Sequence, residues 1–108
     1  MRYDGGKGDS MTPDAAEIRQ QLQRELPALA ARYGVASLGL FGSFVRNEQR
    51  SDSDLDILVT FRETPGLLSF IALEDHLSEL LGVKVDLAMR DALKPHIGKR
   101  VLAEVVPV

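Results

Sequence analysis

The stretch Ser51-Asp52-Ser53-Asp54-Leu55-Asp56-Ile57-Leu58-Val59-Thr60-Phe61 decides how this chain is read. Its β-branched run predicts a strand over Leu55 to Phe61. Side chains alternate between faces along a strand, so Asp54 and Asp56 share one face. Leu55, Ile57, Val59 and Phe61 share the other, the face expected to meet helices. A second stretch repeats the arrangement: Val83, Val85, Leu87 and Met89 fall on one side and Asp86 on the opposite one. If the two strands are neighbours, Asp86 comes within about 5–8 Å of Asp54 and Asp56.

Outward from these strands, the chain reads as helix, strand, strand, helix, strand, helix. Ile18, Leu22, Leu26, Leu29 and Tyr33 recur at helical spacing. Thr12 is the expected N-cap of that helix, with Pro13 in its first turn and Asp14 and Glu17 favouring its dipole. Pro27 is expected to kink or split it near Glu25, and Gly34 to end it. Val35 to Phe41 reads as a buried strand, followed by a short turn and loop over Phe44 to Arg50. Leu67 to Leu81 reads as a helix stopped by Gly82, Val83 to Met89 as the third strand, and Asp91 as the cap of a last helix reaching about Ala103. The expectation is an α+β sandwich, a small mixed sheet backed by helices. Residues 12–108 form its single domain, and the polar, glycine-rich residues 1–11 are expected to be a flexible N-terminal segment. Met11 is a second possible start.

Composition narrows the function. The chain has 108 residues, 13 basic against 16 acidic side chains, a net charge of -3 and no cysteine. That excludes disulfides, thiolate catalysis and sulfur-ligated metals, and argues against an extensive nucleic-acid surface. No apolar run is long enough to cross a bilayer and no secretory signal opens the chain, so the expected setting is cytoplasmic, without a membrane.

Three neighbouring carboxylates repel unless a proton or a cation offsets them. Either they are simply solvated on an open face, or they hold a metal; three carboxylates in register on two strands are costly without purpose, which favours the metal. Oxygen-only ligands suit Mg²⁺ or Mn²⁺. Asp52, Asp54, Asp56 and Glu63 nearly copy a calcium-binding EF-hand loop, but Ile57 stands where the loop needs glycine. Gly6-Lys7-Gly8 lacks the preceding strand and following Ser or Thr of a phosphate loop. Gly42-Ser43 is more telling. It follows an apolar strand and opens a helical turn, where glycine lets backbone approach a ligand and free N–H groups favour an anion. In isolation such a pair is a weak signal that a plain N-cap explains more often than not; eleven residues before a D-x-D pair it becomes a strong one.

Taken together, Gly42-Ser43-Phe44-Val45-Arg46, Ser53-Asp54-Leu55-Asp56 and Val85-Asp86-Leu87 resemble the G-S-x(n)-D-x-D…D signature of the DNA polymerase beta nucleotidyltransferase superfamily. Size and the residues around the motif look most like its minimal nucleotidyltransferase (MNT) group, over roughly Pro27 to Val106. The resemblance implies that Gly42 and Ser43 hold the β- and γ-phosphates of a nucleoside triphosphate. It implies that Asp54 and Asp56 bind two Mg²⁺ ions, and that Asp86 completes one metal site and helps deprotonate the acceptor. Arg46 matches the family's arginine and would touch phosphate or a partner, or else pair with Glu48. Asn47 replaces the usual glycine and tolerates positive φ.

Minimal members are commonly encoded beside a helical HEPN-domain toxin, and in some pairs place AMP on a tyrosine of it. The resemblance therefore implies an antitoxin that transfers AMP from ATP to a hydroxyl of a HEPN partner. The alternative is a binding module that neutralises a helical partner by contact alone. His76 and His96 read as surface histidines. Lys94, Lys99 and Arg100 read as a solvated basic face, or as a means of steering the triphosphate.

Overall fold

The computed structural model describes residues 14–48, 50 and 53–108. The expected flexible segment, Thr12, Pro13, Ser51 and Asp52 therefore lie outside the described residues. Helix α1 spans Ala15–Tyr33, strand β1 Val35–Phe41, β2 Leu55–Phe61, α2 Leu67–Leu81, β3 Val85–Met89, α3 Pro95–Glu104 and β4 Val106–Pro107. A 3₁₀ turn, Arg90–Ala92, links β3 to α3.

The four strands form one mixed sheet in the order β3-β2-β1-β4. β1 is antiparallel to both β2 and β4, while β2 and β3 are parallel. Antiparallel β1 and β2 are joined by the loop that carries Gly42 and Ser43, whereas parallel β3 requires a crossover, supplied by α2. The core joins Ile18, Leu22 and Leu29 of α1 and Leu73, Leu77 and Leu81 of α2 to the apolar face of the sheet, where Leu55, Ile57 and Val59 are fully buried. The expected α+β sandwich is the observed one.

Several local expectations are corrected. The observed N-cap of α1 is Asp14, whose Oδ1 accepts the Glu17 N–H at 2.9 Å. Pro27 does not split the helix: α1 runs through it. Proline removes one backbone bond, and the apolar stripe of Ile18, Leu22 and Leu29, buried on both sides of it, outweighs that loss. Asp91 caps no helix, because it sits inside the 3₁₀ turn, and α3 begins at Pro95 after Lys94. Proline's fixed φ suits the first helical turn. β3 starts at Val85 rather than Val83. β4 was not expected, its two residues being too few for a periodic signal.

Packing differs at the two sides of the sheet. Gly39 of β1 faces the C-terminal segment, and a Cβ there would meet Val105 Cγ2 at 2.5 Å. β3 is an edge strand, yet its Val85 and Leu87 N–H groups are not free. They donate to Ser78 Oγ at 3.0 Å and to Glu74 Oε2 at 2.9 Å, both on α2.

Candidate active site

The site grows from the register of β2 and β3. Asp56 is the direct partner of Asp86 across the parallel pair, and adjacent strands lie about 4.8 Å apart. Both side chains stand on the face turned away from α1 and α2, because Leu55 and Ile57 on one strand and Val85 and Leu87 on the other occupy the buried face. Asp54 precedes β2 by one residue, on the same side as Asp56. Just before it, Ser53 N–H donates to the Arg50 carbonyl at 3.0 Å and Ser53 Oγ accepts the Arg50 N–H at 2.8 Å. Asp54 and Asp86 are exposed and Asp56 is half-buried. The structure thus brings the three expected aspartates to one edge of the sheet.

Gly42 and Ser43 arrive from the other neighbour of β2. Phe41 is the β1 partner of Asp56, so the next residue, Gly42, lies against that carboxylate. A Cβ on Gly42 would overlap Asp56 Oδ2, and φ is +82° there, so glycine is required twice over. The turn then folds back on itself: the Gly42 carbonyl accepts N–H groups from Val45 and Arg46 at 3.1 and 3.2 Å, and Ser43's accepts Glu48's at 2.8 Å. Asn47 takes φ 59°, the left-handed conformation expected of it. Phe44, only 2% exposed, anchors the turn in the core.

Arg46 pairs with Glu48 through Nε at 2.9 Å, the ion pair foreseen for it. It also pairs with Glu104 at 3.0 Å. Glu104 was not singled out from the sequence. It is the last residue of α3, and its Oε2 accepts the Gly42 N–H at 2.8 Å. No spacing pattern could have found it; two acids for one arginine emerges only from the fold. The Gly42 N–H first, then the hydrogen bond and charge of Arg46, hold the Glu104 carboxyl below its ordinary range, against the opposing effect of burial.

Electrostatics single out Asp56. Burial first, then the charges of Asp86 and Asp54, push its carboxyl up from 3.8 to about 6. Such a group lacks compensation for its negative charge, which is the chemistry a divalent cation supplies. Among the described residues no three His, Asp or Glu side chains close into a ready-made cage. Mg²⁺ does not need one, since it is usually held by one or two carboxylates together with substrate phosphates and water. The oxygen-only donor set therefore fits Mg²⁺ or Mn²⁺.

The remaining polar residues stay apart from this centre. His96 is exposed, while His76 is half-buried, its ring 5.8 Å from that of Tyr33, rather than a plain surface group. Lys94, Lys99 and Arg100 are exposed along α3. Ile57 lies buried inside β2, which removes the EF-hand reading; Asp52 itself is outside the described residues. A hollow of about 220 Å³ between Val59, Phe61 and Met89 lies some way along the strands from Asp56, with Asp91 as its one carboxylate. It lacks the paired acids and the glycine turn that make the aspartate edge the candidate site.

Comparison with known proteins assigns the chain to a family. The nucleotidyltransferase domain family matches residues 16–107, a span that takes in the glycine–serine turn and all three aspartates. The chain belongs to the nucleotidyltransferase domain family. Protein adenylyltransferase MntA of Thermococcus cleftensis is 52% identical over 92 residues, covering 85% of this nucleotidyltransferase and 93% of the relative. A solved structure described provisionally as a minimal nucleotidyltransferase superposes with a TM-score of 0.76 at 38% identity, covering 92% of this chain and all of the other. The complex of a tri-AMPylated Shewanella oneidensis HEPN toxin with its MNT antitoxin gives a TM-score of 0.61 at 20% identity, over 82% of this chain and 70% of that one, a likeness of fold. The resemblance read from the motif is borne out, and the chain is an enzyme of nucleotidyl transfer. No described helix of this nucleotidyltransferase is long and apolar enough to cross a membrane.

Proposed function

We propose that this nucleotidyltransferase moves AMP from ATP to a hydroxyl of a partner protein, a helical HEPN-type toxin, and serves as its antitoxin in the cytoplasm. The observation that carries the reading is the register pairing of Asp56 with Asp86, with Asp54 beside them and Gly42 packed on the Asp56 carboxylate. The 52% identical relative named as a protein adenylyltransferase supports the choice of AMP and of a protein acceptor. The HEPN–MNT complex of like fold supports the choice of partner.

In this reading the acceptor oxygen attacks the α-phosphorus in line, a new O–P bond forms, and the bond to the β-phosphate oxygen breaks. Pyrophosphate leaves with the bonding electron pair. Asp86, exposed on the strand beside Asp56, takes the hydroxyl proton. Gly42 and Ser43 hold the β- and γ-phosphates, and Arg46 adds a positive charge at the same turn. Asp54 and Asp56 would hold two Mg²⁺ ions, with Asp86 completing one site; bound there, the metal would neutralise charge on the transferred and leaving groups. The protein's own share is mostly positioning: Asp56 and Asp86 sit on paired strands, and Asp54 stands immediately before the first of them.

The test uses ATP labelled at the α-phosphate, Mg²⁺ and lysate of the native host, with the Asp54→Asn/Asp56→Asn double variant as control. A labelled, protease-sensitive band with the wild type alone is expected. A nuclease-sensitive band would replace the protein acceptor by RNA. No label, with the same partner retained by both proteins, would overturn transfer in favour of neutralisation by contact.

A further inference from the structure

The donors assigned to the triphosphate are engaged by a group of the chain itself. Glu104 lies 62 residues from Gly42, yet its Oε2 accepts the Gly42 N–H at 2.8 Å. Both of its oxygens accept from Arg46 Nη1, at 3.0 and 3.1 Å. A backbone N–H and a guanidinium converging on a carboxylate are the partners a phosphate oxygen would use.

Those donors, helped by the charge of Arg100, hold a carboxylate that is poorly placed in two other respects. It sits on the final residue of α3, where the helix dipole disfavours negative charge. It also adds its charge to the Asp54–Asp56–Asp86 edge, since Glu104 is among the groups that repel the ionised Asp56. Its side chain is 32% exposed, so it can swing into water without opening the core.

We propose that Glu104 is the resident anion of the Gly42–Arg46 seat, displaced when the triphosphate binds and returning as pyrophosphate leaves. The proposal rests on the nucleotidyl-transfer reading above. Glu104 is then an internal competitor: it keeps the turn in its anion-holding shape, weakens nucleotide binding, and favours release of the product anion. A purely structural glutamate would behave in the opposite way, since removing it would loosen the turn and weaken every anion.

The probe is inorganic pyrophosphate, titrated calorimetrically with Mg²⁺ into the full chain, wild type against Glu104→Gln. The amide keeps the side chain's volume and discards its charge. Pyrophosphate is expected to bind the variant roughly 3- to 10-fold more tightly, with the gain shrinking at high salt. A non-hydrolysable ATP analogue is expected to show the same direction, and circular dichroism to show an unchanged fold. Glu104→Ala, which vacates the seat, is expected to tighten pyrophosphate too. Equal or weaker binding by Glu104→Gln overturns the proposal. If the wild type binds the ATP analogue and transfers AMP while Glu104→Gln gains nothing, Glu104 exchange alone is wrong. If neither protein binds either ligand, the transfer reading fails and takes this proposal with it.

Discussion

Replacing Asp56 by Asn should make the metal-free protein more stable, and only above a definite pH. The Asp56 carboxyl titrates at about 6 in the folded chain against an ordinary value of 3.8. The folded state therefore binds this proton more tightly than the unfolded chain. Between those values it holds more protons than the unfolded state does, so stability falls as pH rises through the window. Fully expressed, a gap of about two pH units amounts to about 3 kcal/mol. Asp56 is only half-buried, so solvent screening should reduce this to about 1 kcal/mol. Asparagine has nearly the same shape, keeps its place against Gly42, and has no charge to lose. In urea melts with a chelator present, the two stability curves should lie close together near pH 4, separate up to pH 6, and run parallel above pH 7. The variant should then be ahead by about 1 kcal/mol, or about 4–8 °C in melting temperature for a domain of this size. Mg²⁺ should raise the melting temperature of the wild type and do little for the variant. A variant less stable than the wild type at pH 7.5 in chelator, or a difference that does not change with pH, would refute the argument that Asp56 bears an uncompensated charge.

Three other substitutions test the frame around it. Gly42→Ala should abolish nucleotide binding and cost about 1–3 kcal/mol, because it combines a left-handed φ with a Cβ driven into Asp56; calorimetry with an ATP analogue and a thermal melt check both. Pro27→Ala should stabilise by about 1–2 kcal/mol, since proline costs about 3 kcal/mol inside a helix and returns part of that by restricting the unfolded chain. An unchanged melting temperature would mean that α1 already accommodates the ring without loss. Gly39→Ala should push Val105 off β1 and fray β4, seen as faster hydrogen exchange at the Val108 amide, which otherwise donates to the Leu38 carbonyl at 3.0 Å.

How much of this was legible in the sequence depends on how locally each signal is written. β2 and α2 match their expected bounds because a β-branched run and a leucine stripe ending at Gly82 are both local and strong. Asp54 and Asp56 were readable because a period of two places them on one face, and Asp86 because its own strand alternates in the same way; their meeting depended on β2 and β3 being neighbours in register. What failed was decided at a distance. Pro27 forecast a break from local sterics, and burial of Ile18, Leu22 and Leu29 overrode it. Asp91 had the chemistry of a cap, but Pro95 set where α3 could begin. Glu104 carried no motif at all. Its position beside Gly42 comes from α3 returning to the sheet, a tertiary fact that no spacing encodes.

The Ser78 and Glu74 contacts with β3 have a consequence for how another protein can approach. An exposed strand edge is ordinarily a template on which a foreign segment, or a second copy, zips up through main-chain hydrogen bonds. Here two successive outward amides of β3 are already satisfied from α2, on the strand that carries Asp86. Docking by strand addition is thereby closed off next to the acidic edge. A segment that approaches this side of the sheet has to be held through side chains rather than by main-chain pairing to the Val85 and Leu87 amides.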